Sequence, residues 1–214
     1  MGVTSEAPRA KALRGQWGTL RPLDPARDAT ELFRLTHDAR EAETWAEMKV
    51  GPFPTEAAFR THLDELVTDV TRAFFAVTRP DDRPLGWLCL MEAQPAHRTV
   101  EVGYVTYAPS LQRTTLATEA FYLIMSHVFD ELDYQRLEWT CTSTNLRSRK
   151  AATRLGFQFE GVLRRKLILK GKSVDVPMYS MLAEEWPTTR SALQRWLAPS
   201  NFVDGTQIKP LQLT

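Results

Sequence analysis

Between Tyr107 and Ala120 the chain reads Tyr-Ala-Pro-Ser-Leu-Gln-Arg-Thr-Thr-Leu-Ala-Thr-Glu-Ala, and this junction carries the strongest chemical signal in the sequence. Pro109 stops a strand-like run, a loop with Arg113 and two adjacent threonines follows, and the best amphipathic helical pattern of the chain then begins. A helix start presents unpaired backbone N–H groups and the positive end of the peptide dipole, so it suits a phosphate. Arg113 adds a full charge on the same loop. Thr114 or Thr115 also suits plain helix capping, and the loop alone leaves both readings open. A second polar cluster, Asn145 to Lys150, opens a shorter helical pattern; its Arg149 and Lys150 suit either a phosphate or a solvated basic face. His37, His62, His97 and His127 share no metal-ligand spacing, and Cys89 and Cys141 read as core thiols, so no metal is expected.

These segments need a scaffold, and the pattern of apolar residues supplies one. Strands are expected over 16–23, 72–78, 85–91, 99–107, 136–141, 157–169 and 173–183, with turns at Pro80 to Pro84 and Lys170 to Lys172. Helices are expected over 28–37, from Thr55 with Phe59, Leu63, Leu66, Val67 and Val70 on one face, and through Ala117, Ala120, Phe121, Ile124, Val128 and Leu132. A short helix over 147–155 ends at Gly156, and a terminal helix opens at Glu185-Trp186-Pro187 and runs to about Leu197. The alternation predicts one α/β (α+β) domain with a mostly antiparallel sheet over residues 16–198, an N-terminal extension over 1–15 and a loose tail over 199–214. The two long C-terminal strands and Leu193, Trp196 and Leu197 offer surface for a homodimer.

The balance of 27 Lys+Arg against 26 Asp+Glu gives a net charge of +1, which removes the electrostatic drive of a general nucleic-acid or anionic-membrane binder. No run approaches the roughly 18 apolar residues of a membrane span, and the polar N-terminus lacks a signal-peptide core. The expectation is a cytoplasmic, metal-free enzyme or binding domain with neither nucleic acid nor membrane as partner.

Gln112-Arg-Thr-Thr-Leu-Ala117 resembles the Gln/Arg-x-x-Gly-x-Gly/Ala motif of the GNAT (GCN5-related N-acetyltransferase) superfamily. Asn145-Leu-Arg-Ser148 followed by Leu155-Gly-Phe157 is similar to that family's second CoA segment, and Glu160-Gly-Val-Leu-Arg164 to the continuation downstream. The resemblance runs from about Leu20 to Trp186 and is closest to the ribosomal-protein N-terminal acetyltransferase-like (RimJ/RimL-type) branch. It implies the GNAT fold, a mostly antiparallel mixed sheet of about seven strands flanked by helices. It also implies acetyl-CoA as cosubstrate, an amine or peptide N-terminus as acceptor, and a donor site of Tyr107, Gln112, Arg113, Thr114, Thr115, Leu116, Ala117, Thr118, Asn145, Ser148 and Lys150. Thr115 departs from the family, which most often has Gly there; a β-branched side chain would come close to the phosphates.

The resemblance places Glu101 beside the acyl group, with Gly103 and Val105 on the same strand face, so Glu101 is expected as a general base or water relay with a raised pKa. The alternative is an exposed strand residue paired with Arg98. Ser148 is expected at the leaving sulfur, and backbone N–H groups along Tyr104 to Tyr107 at the oxyanion. Trp45, Met48 and Phe53 fall where the family has its acceptor-lining loop, and Glu41, Glu43 and Glu47 would attract a cationic amine. The favoured acceptor is a protein or peptide N-terminal α-amine. A small amine such as a polyamine, aminoglycoside or amino acid, a succinyl-CoA donor, and a non-catalytic acyl-CoA-binding module are the alternatives.

Overall fold

A computed structural model describes residues 6–38, 41–203 and 206–213. Eight strands form one sheet in the order β1-β2-β3-β4-β5-β6-β8-β7, and a separate two-stranded ladder joins β9 to β10. Along the chain these are β1 (Leu13–Arg14), β2 (Thr19–Pro22), β3 (Ala73–Thr78), β4 (Pro84–Gln94), β5 (Thr99–Tyr107), β6 (Arg136–Thr140), β7 (Gln158–Leu169), β8 (Lys172–Leu182), β9 (Phe202–Val203) and β10 (Thr206–Gln207). The helices are α1 (Pro25–Thr36), α2 (Glu41–Trp45), α3 (Glu56–Thr68), α4 (Thr115–Ser126), α5 (Leu146–Arg154) and α6 (Trp186–Leu197).

Local chemistry sets most boundaries. Asp24 caps α1 through its side chain on the Ala26 amide, with Pro25 at the first helical position, so α1 starts three residues before the expected Asp28. Thr55 caps α3 on the Ala58 amide, as its sequence position suggests. Val67 and Val70 nevertheless lie exposed, because α3 buries only Phe59, Leu63 and Leu66 and stops at Thr68. The expected long helix through Leu132 is α4 followed by a π-helical turn over His127–Glu131. The β7–β8 hairpin turns on Lys170 (φ +47°) and Gly171 (φ +79°), the positive pair that suits a tight hairpin.

The sheet divides the interior in two. One cluster gathers β-strand residues with Leu116, Phe121, Ile124 and Met125 of α4; the other gathers Leu32, Trp45, Phe59, Leu63, Phe74 and Trp87 on the opposite face. Leu13 enters the first cluster and β1 pairs with β2, so the sheet begins before residue 16. The Glu119 carboxylate, on α4, accepts from the amides of Gln16, Trp17 and Gly18 at 2.7–3.0 Å and ties the β1–β2 loop to that helix. Leu193, Trp196 and Leu197 are buried, which removes them from the surface proposed for a homodimer. They are covered because α6 folds back onto the domain, with Trp196 edge-on to Phe202.

One feature of the sheet opens it for function. β5 and β6 run parallel and pair only through Thr99↔Arg136, Val100↔Leu137 and Glu101↔Glu138. Beyond Glu101 the ladder between them ends, and β5 stays paired with β4 alone and β6 with β8 alone. The β4–β5 ladder also shifts register: Cys89 pairs with Gly103 but Trp87 with Thr106, so Tyr104 and Val105 oppose Leu88 alone. This is a β-bulge, with Tyr104 at φ +51°, and it bends β5 away from the regular ladder.

Candidate functional site

Two adjoining cavities occupy the opening between β5 and β6. The larger, about 610 Å³, lies between the N-terminal ends of α4 and α5; the smaller, about 230 Å³, lies toward β7 and β8. Val105, Trp139, Asn145, Ser148, Met48 and Glu47 line both, so the two meet where the parallel strands part.

The larger cavity is built from helix starts. Thr114 is the N-cap of α4: its Oγ1 accepts from the Ala117 amide at 3.1 Å and donates to the Leu111 carbonyl at 2.7 Å. That satisfies the third amide of the helix and leaves those of Thr115 and Leu116 without intrahelical partners. Gln112 donates from Nε2 to the Tyr107 carbonyl at 3.0 Å, and Arg113 adopts φ +63° at the last turn before the cap. Asn145 caps α5 by accepting from the Ser148 amide at 3.0 Å. The Thr114 cap therefore consumes the Ala117 amide, and the first two amides of α4 remain available to a ligand.

Of the expected donor residues, Tyr107, Gln112, Arg113, Thr114, Ala117, Thr118, Asn145, Ser148 and Lys150 line the larger cavity. Thr115 and Leu116 do not. Leu116 points into the core and Thr115 takes an ordinary helical conformation, so their contribution is confined to backbone amides. The position that needs a positive φ is Arg113, two residues before the family's usual glycine. A β-branched Thr115 therefore neither strains the helix start nor projects into the cavity. Arg149 turns away to the Tyr179 hydroxyl, whereas Lys150 lines the cavity.

The lining fits an elongated anionic ligand. Arg113, Lys150 and Arg154 have no carboxylate partner among the described residues, and only Arg147 is paired, with Glu43 at 3.4 Å. The Tyr107 hydroxyl is buried without a hydrogen-bond partner, and burial pushes its pKa well above that of a free tyrosine. From Asn145 to Arg154 the cavity follows α5 for about 14 Å.

The smaller cavity contains Glu101. Its carboxylate is buried, accepts from Thr140 Oγ1 at 2.5 Å, and has its pKa raised by burial, with Glu138 and Glu92 adding like charge. Arg98 does not pair with it; it donates from Nε to the Asp133 carbonyl at 2.7 Å. Gly103 and Val105 share the cavity wall with Glu101, and Met91, Leu167, Leu169 and Val176 make much of it apolar. Ser148 Oγ accepts from Trp139 Nε1 at 2.9 Å, and its side chain also hydrogen-bonds the Cys141 thiol at the wall of the smaller cavity.

The acceptor-side expectations divide. Met48 lines both cavities. Trp45 is fully buried in the second core cluster and donates from Nε1 to the Thr36 carbonyl, so it packs the interior and lines neither cavity. Gly51, at φ +77°, makes this possible: a Cβ there would lie 2.5 Å from the Trp45 ring. Phe53 packs on the same cluster, edge-on to Trp45 and stacked on His62, and also lines neither cavity. Glu47 is held by the hydroxyls of Thr142 and Thr144; the Glu41 side chain lies outside the described residues. Cys141, expected as a core thiol, and His62, expected to have no metal role, line the smaller cavity; Trp139 lines both, and Trp196, Gln207 and Arg154 line the larger. A signal for Arg154 was present: Arg147, Lys150 and Arg154 recur at i, i+3, i+7 and so share one face of α5. Among the described residues no His/Cys/Asp/Glu group could hold a metal ion, and no helix is long and apolar enough to cross a membrane.

Comparison with known proteins bears on the family and the fold. Residues 19–158 match the family described as acetyltransferase (GNAT) domain. A crystal structure of a GCN5-related N-acetyltransferase from Brucella melitensis superposes with a TM-score of 0.95 at 35% identity, over 98% of this chain and 96% of that one. "Uncharacterized N-acetyltransferase YnaD" of Bacillus subtilis (strain 168) is 29% identical over 62% of this chain and 76% of its own length. "Putative ribosomal N-acetyltransferase YdaF" of the same organism is 30% identical over 47% of this chain and 55% of its own length.

Proposed function

The chain belongs to the GNAT acetyltransferase family and is an acetyl-CoA-dependent N-acetyltransferase, and from that premise we propose that its acceptor is a peptide or protein N-terminal α-amine. The observation that carries this reading is the buried Glu101 carboxylate in a small, largely apolar cavity that meets the larger one at Val105 and Ser148.

An α-ammonium titrates near 7.7–8.0, so a weak base suffices to deprotonate it at neutral pH, whereas a lysine ε-ammonium near 10.4 demands far more. Glu101, with its pKa raised by burial, takes that proton directly or through one water. The free amine nitrogen then attacks the thioester carbonyl carbon, and the developing oxyanion is met by backbone N–H groups of the bulged β5 segment around Val105. The C–N bond forms, the C–S bond breaks, and the electron pair leaves with sulfur. The nitrogen sheds its second proton as it becomes an amide and that proton passes to the thiolate, which the Ser148 hydroxyl, its oxygen already engaged by Trp139, steadies with a hydrogen bond. Arg113 and the amides of Thr115 and Leu116 hold the diphosphate of the donor, while Lys150 adds charge at the rim. The name of YdaF, "Putative ribosomal N-acetyltransferase", supports a protein acceptor.

The test offers the purified chain acetyl-CoA with a peptide library whose members carry a free or a formylated N-terminus and one internal lysine, read by intact-mass spectrometry. Acetylation of free N-termini, absent from formylated peptides and lost in Glu101→Gln, is expected. Acetylation that moves to lysine, or that ignores formylation, overturns the acceptor assignment.

A further inference from the structure

Parts of the chain beyond the family match line the larger cavity. Trp196 of α6 and Gln207 of β10 both line it, although the matched stretch ends at residue 158. The C-terminal segment is held there by one buried side chain, Asn201. Its Nδ2 donates to the carbonyls of Trp196 (2.9 Å) and Lys209 (3.1 Å), and its Oδ1 accepts from the Lys209 amide (2.8 Å). The segment is therefore clasped against α6 immediately beside the cavity.

Arg154 lines the same cavity and packs over Trp196. The residue is exposed as a whole, but its guanidinium is packed: NH1 donates to Thr118 Oγ1 at 3.1 Å and the group lies 5.0 Å from the centre of the Trp196 ring. Burial of that end draws its pKa down, which marks a charge held partly out of water. It has no carboxylate partner among the described residues, and Thr118 and the indole face engage one hydrogen and one side of a five-donor plane. A guanidinium fixed in orientation, with donors to spare and Arg113 and Lys150 on the same wall, is built to meet a phosphate.

We propose that Arg154 binds a phosphate at the nucleotide end of the acyl donor, with Trp196 as the residue that positions it. The proposal rests on the larger cavity being the acetyl-CoA site. It adds the C-terminal segment to that site: the aromatic platform that orients the arginine comes from α6, and the Asn201 clasp holds the neighbouring chain in place. The fork of Arg154 selects a phosphorylated donor over an acyl-pantetheine that lacks the nucleotide.

Calorimetric titration of the full chain with acetyl-CoA, acetyl-dephospho-CoA and S-acetylpantetheine tests this. Arg154→Gln should raise the Kd for acetyl-CoA about ten- to hundredfold, the effect of losing one charge-assisted pair, and leave S-acetylpantetheine unchanged. Arg154→Lys keeps the charge but not the fork and should fall between. A loss that disappears with acetyl-dephospho-CoA assigns the contact to the 3′-phosphate; one that persists assigns it to the diphosphate. Trp196→Phe should raise the KM for acetyl-CoA while leaving kcat at saturation unchanged, a split that mere destabilisation would not give. An unchanged Kd for acetyl-CoA in Arg154→Gln, or an equal loss with S-acetylpantetheine, overturns the proposal while leaving the donor site intact. Absence of acetyl-CoA binding by the unaltered chain would overturn the donor-site reading itself.

Discussion

The larger cavity takes its polar groups from helix ends, and the smaller takes its groups from strand interiors that meet only in the folded sheet. At the α4 and α5 starts, capping residue, free amides and charged side chains follow one another within a few positions. In the smaller cavity, Glu101 of β5, Thr140 of β6, Leu167 of β7 and Val176 of β8 come from four strands spread over 75 positions of the chain. A ligand held by backbone and local charge tolerates side-chain change, whereas chemistry placed by long-range packing depends on single residues. The predicted effects follow that division.

The largest effect is expected at Glu101. Glu101→Gln removes the base and should lower kcat by about 10²–10⁴ while leaving acetyl-CoA affinity unchanged. The same change should remove the Glu101 step from the acid limb of the kcat/KM profile and leave the step of the α-amine itself; in the parent, burial places the Glu101 step above the ordinary glutamate range, so that activity rises as pH climbs through it. Stability has the opposite dependence. A carboxyl whose folded pKa is raised stabilises the fold most when protonated, and ionising it as pH rises costs stability. Glu101→Gln should therefore match or exceed the parent Tm at neutral pH. A fall in Tm equal to the fall in activity would show Glu101 to be a packing residue and break the contrast between the cavities.

Trp45 tests the boundary of the smaller cavity from the other side. It lies in the buried cluster with Phe59 and Trp87, so Trp45→Ala should cost about 3–5 kcal/mol of folding stability. At temperatures where the variant is folded, the KM for peptide should stay within about twofold of the parent, since removing a residue that touches neither substrate leaves their contacts in place. A large KM effect with little loss in Tm would return Trp45 to the acceptor wall.

Trp45 also shows which parts of this molecule a sequence makes legible. The α4 junction could be read because capping, dipole and charge are local: Thr114, Arg113 and Ala117 are neighbours in the chain as in the site. The strands and the Lys170-Gly171 hairpin were legible for the same reason, through alternation and a turn-forming pair. The stretch from Glu43 to Phe53 has no period, and which of its apolar residues faces a cavity depends on α3 and β4, distant in sequence. Met48 reaches the cavities while Trp45 and Phe53 fill the core, a choice made by packing and by the room Gly51 leaves for the Trp45 ring. Trp196 and Gln207 were beyond reach for a related reason: their place follows from α6 and its successor folding back, and the residues that fix this, such as Asn201, form no motif.

Ser148 belongs to both cavities and should show an intermediate effect. A thiol pKa near 8.5 makes sulfur a fair leaving group, so help from a hydroxyl is modest. Ser148→Ala should lower kcat about tenfold at neutral pH, equivalent to roughly one pKa unit of driving force. It also leaves the Trp139 N–H without its acceptor, which should appear as a small loss of Tm. Acyl donors with better leaving thiols, such as acetyl esters of electron-poor arylthiols bound in place of acetyl-CoA, should narrow the difference between variant and parent. A constant difference across leaving groups would assign the Ser148 hydroxyl to its contact with Trp139 alone.

The smallest effect is expected at Thr115, and it bears most directly on the backbone character of the larger cavity. Thr115 stands at the first position of α4 with its side chain outside the cavity lining, and Arg113 carries the positive φ of the loop. Thr115→Gly restores the residue most common in the family, yet it adds no space within the cavity. It loosens the helix start instead, because glycine loses more conformational freedom on folding. Acetyl-CoA affinity should therefore change by less than about twofold, while Tm falls slightly, in line with a cost of up to about 1 kcal/mol for glycine in a helix. Titration calorimetry of both proteins at matched salt measures the first and a thermal melt the second. A gain of tenfold or more in affinity would mean that the threonine methyl or hydroxyl obstructs the phosphates after all, and that the side chains of this loop, not its amides alone, set how tightly the donor is held.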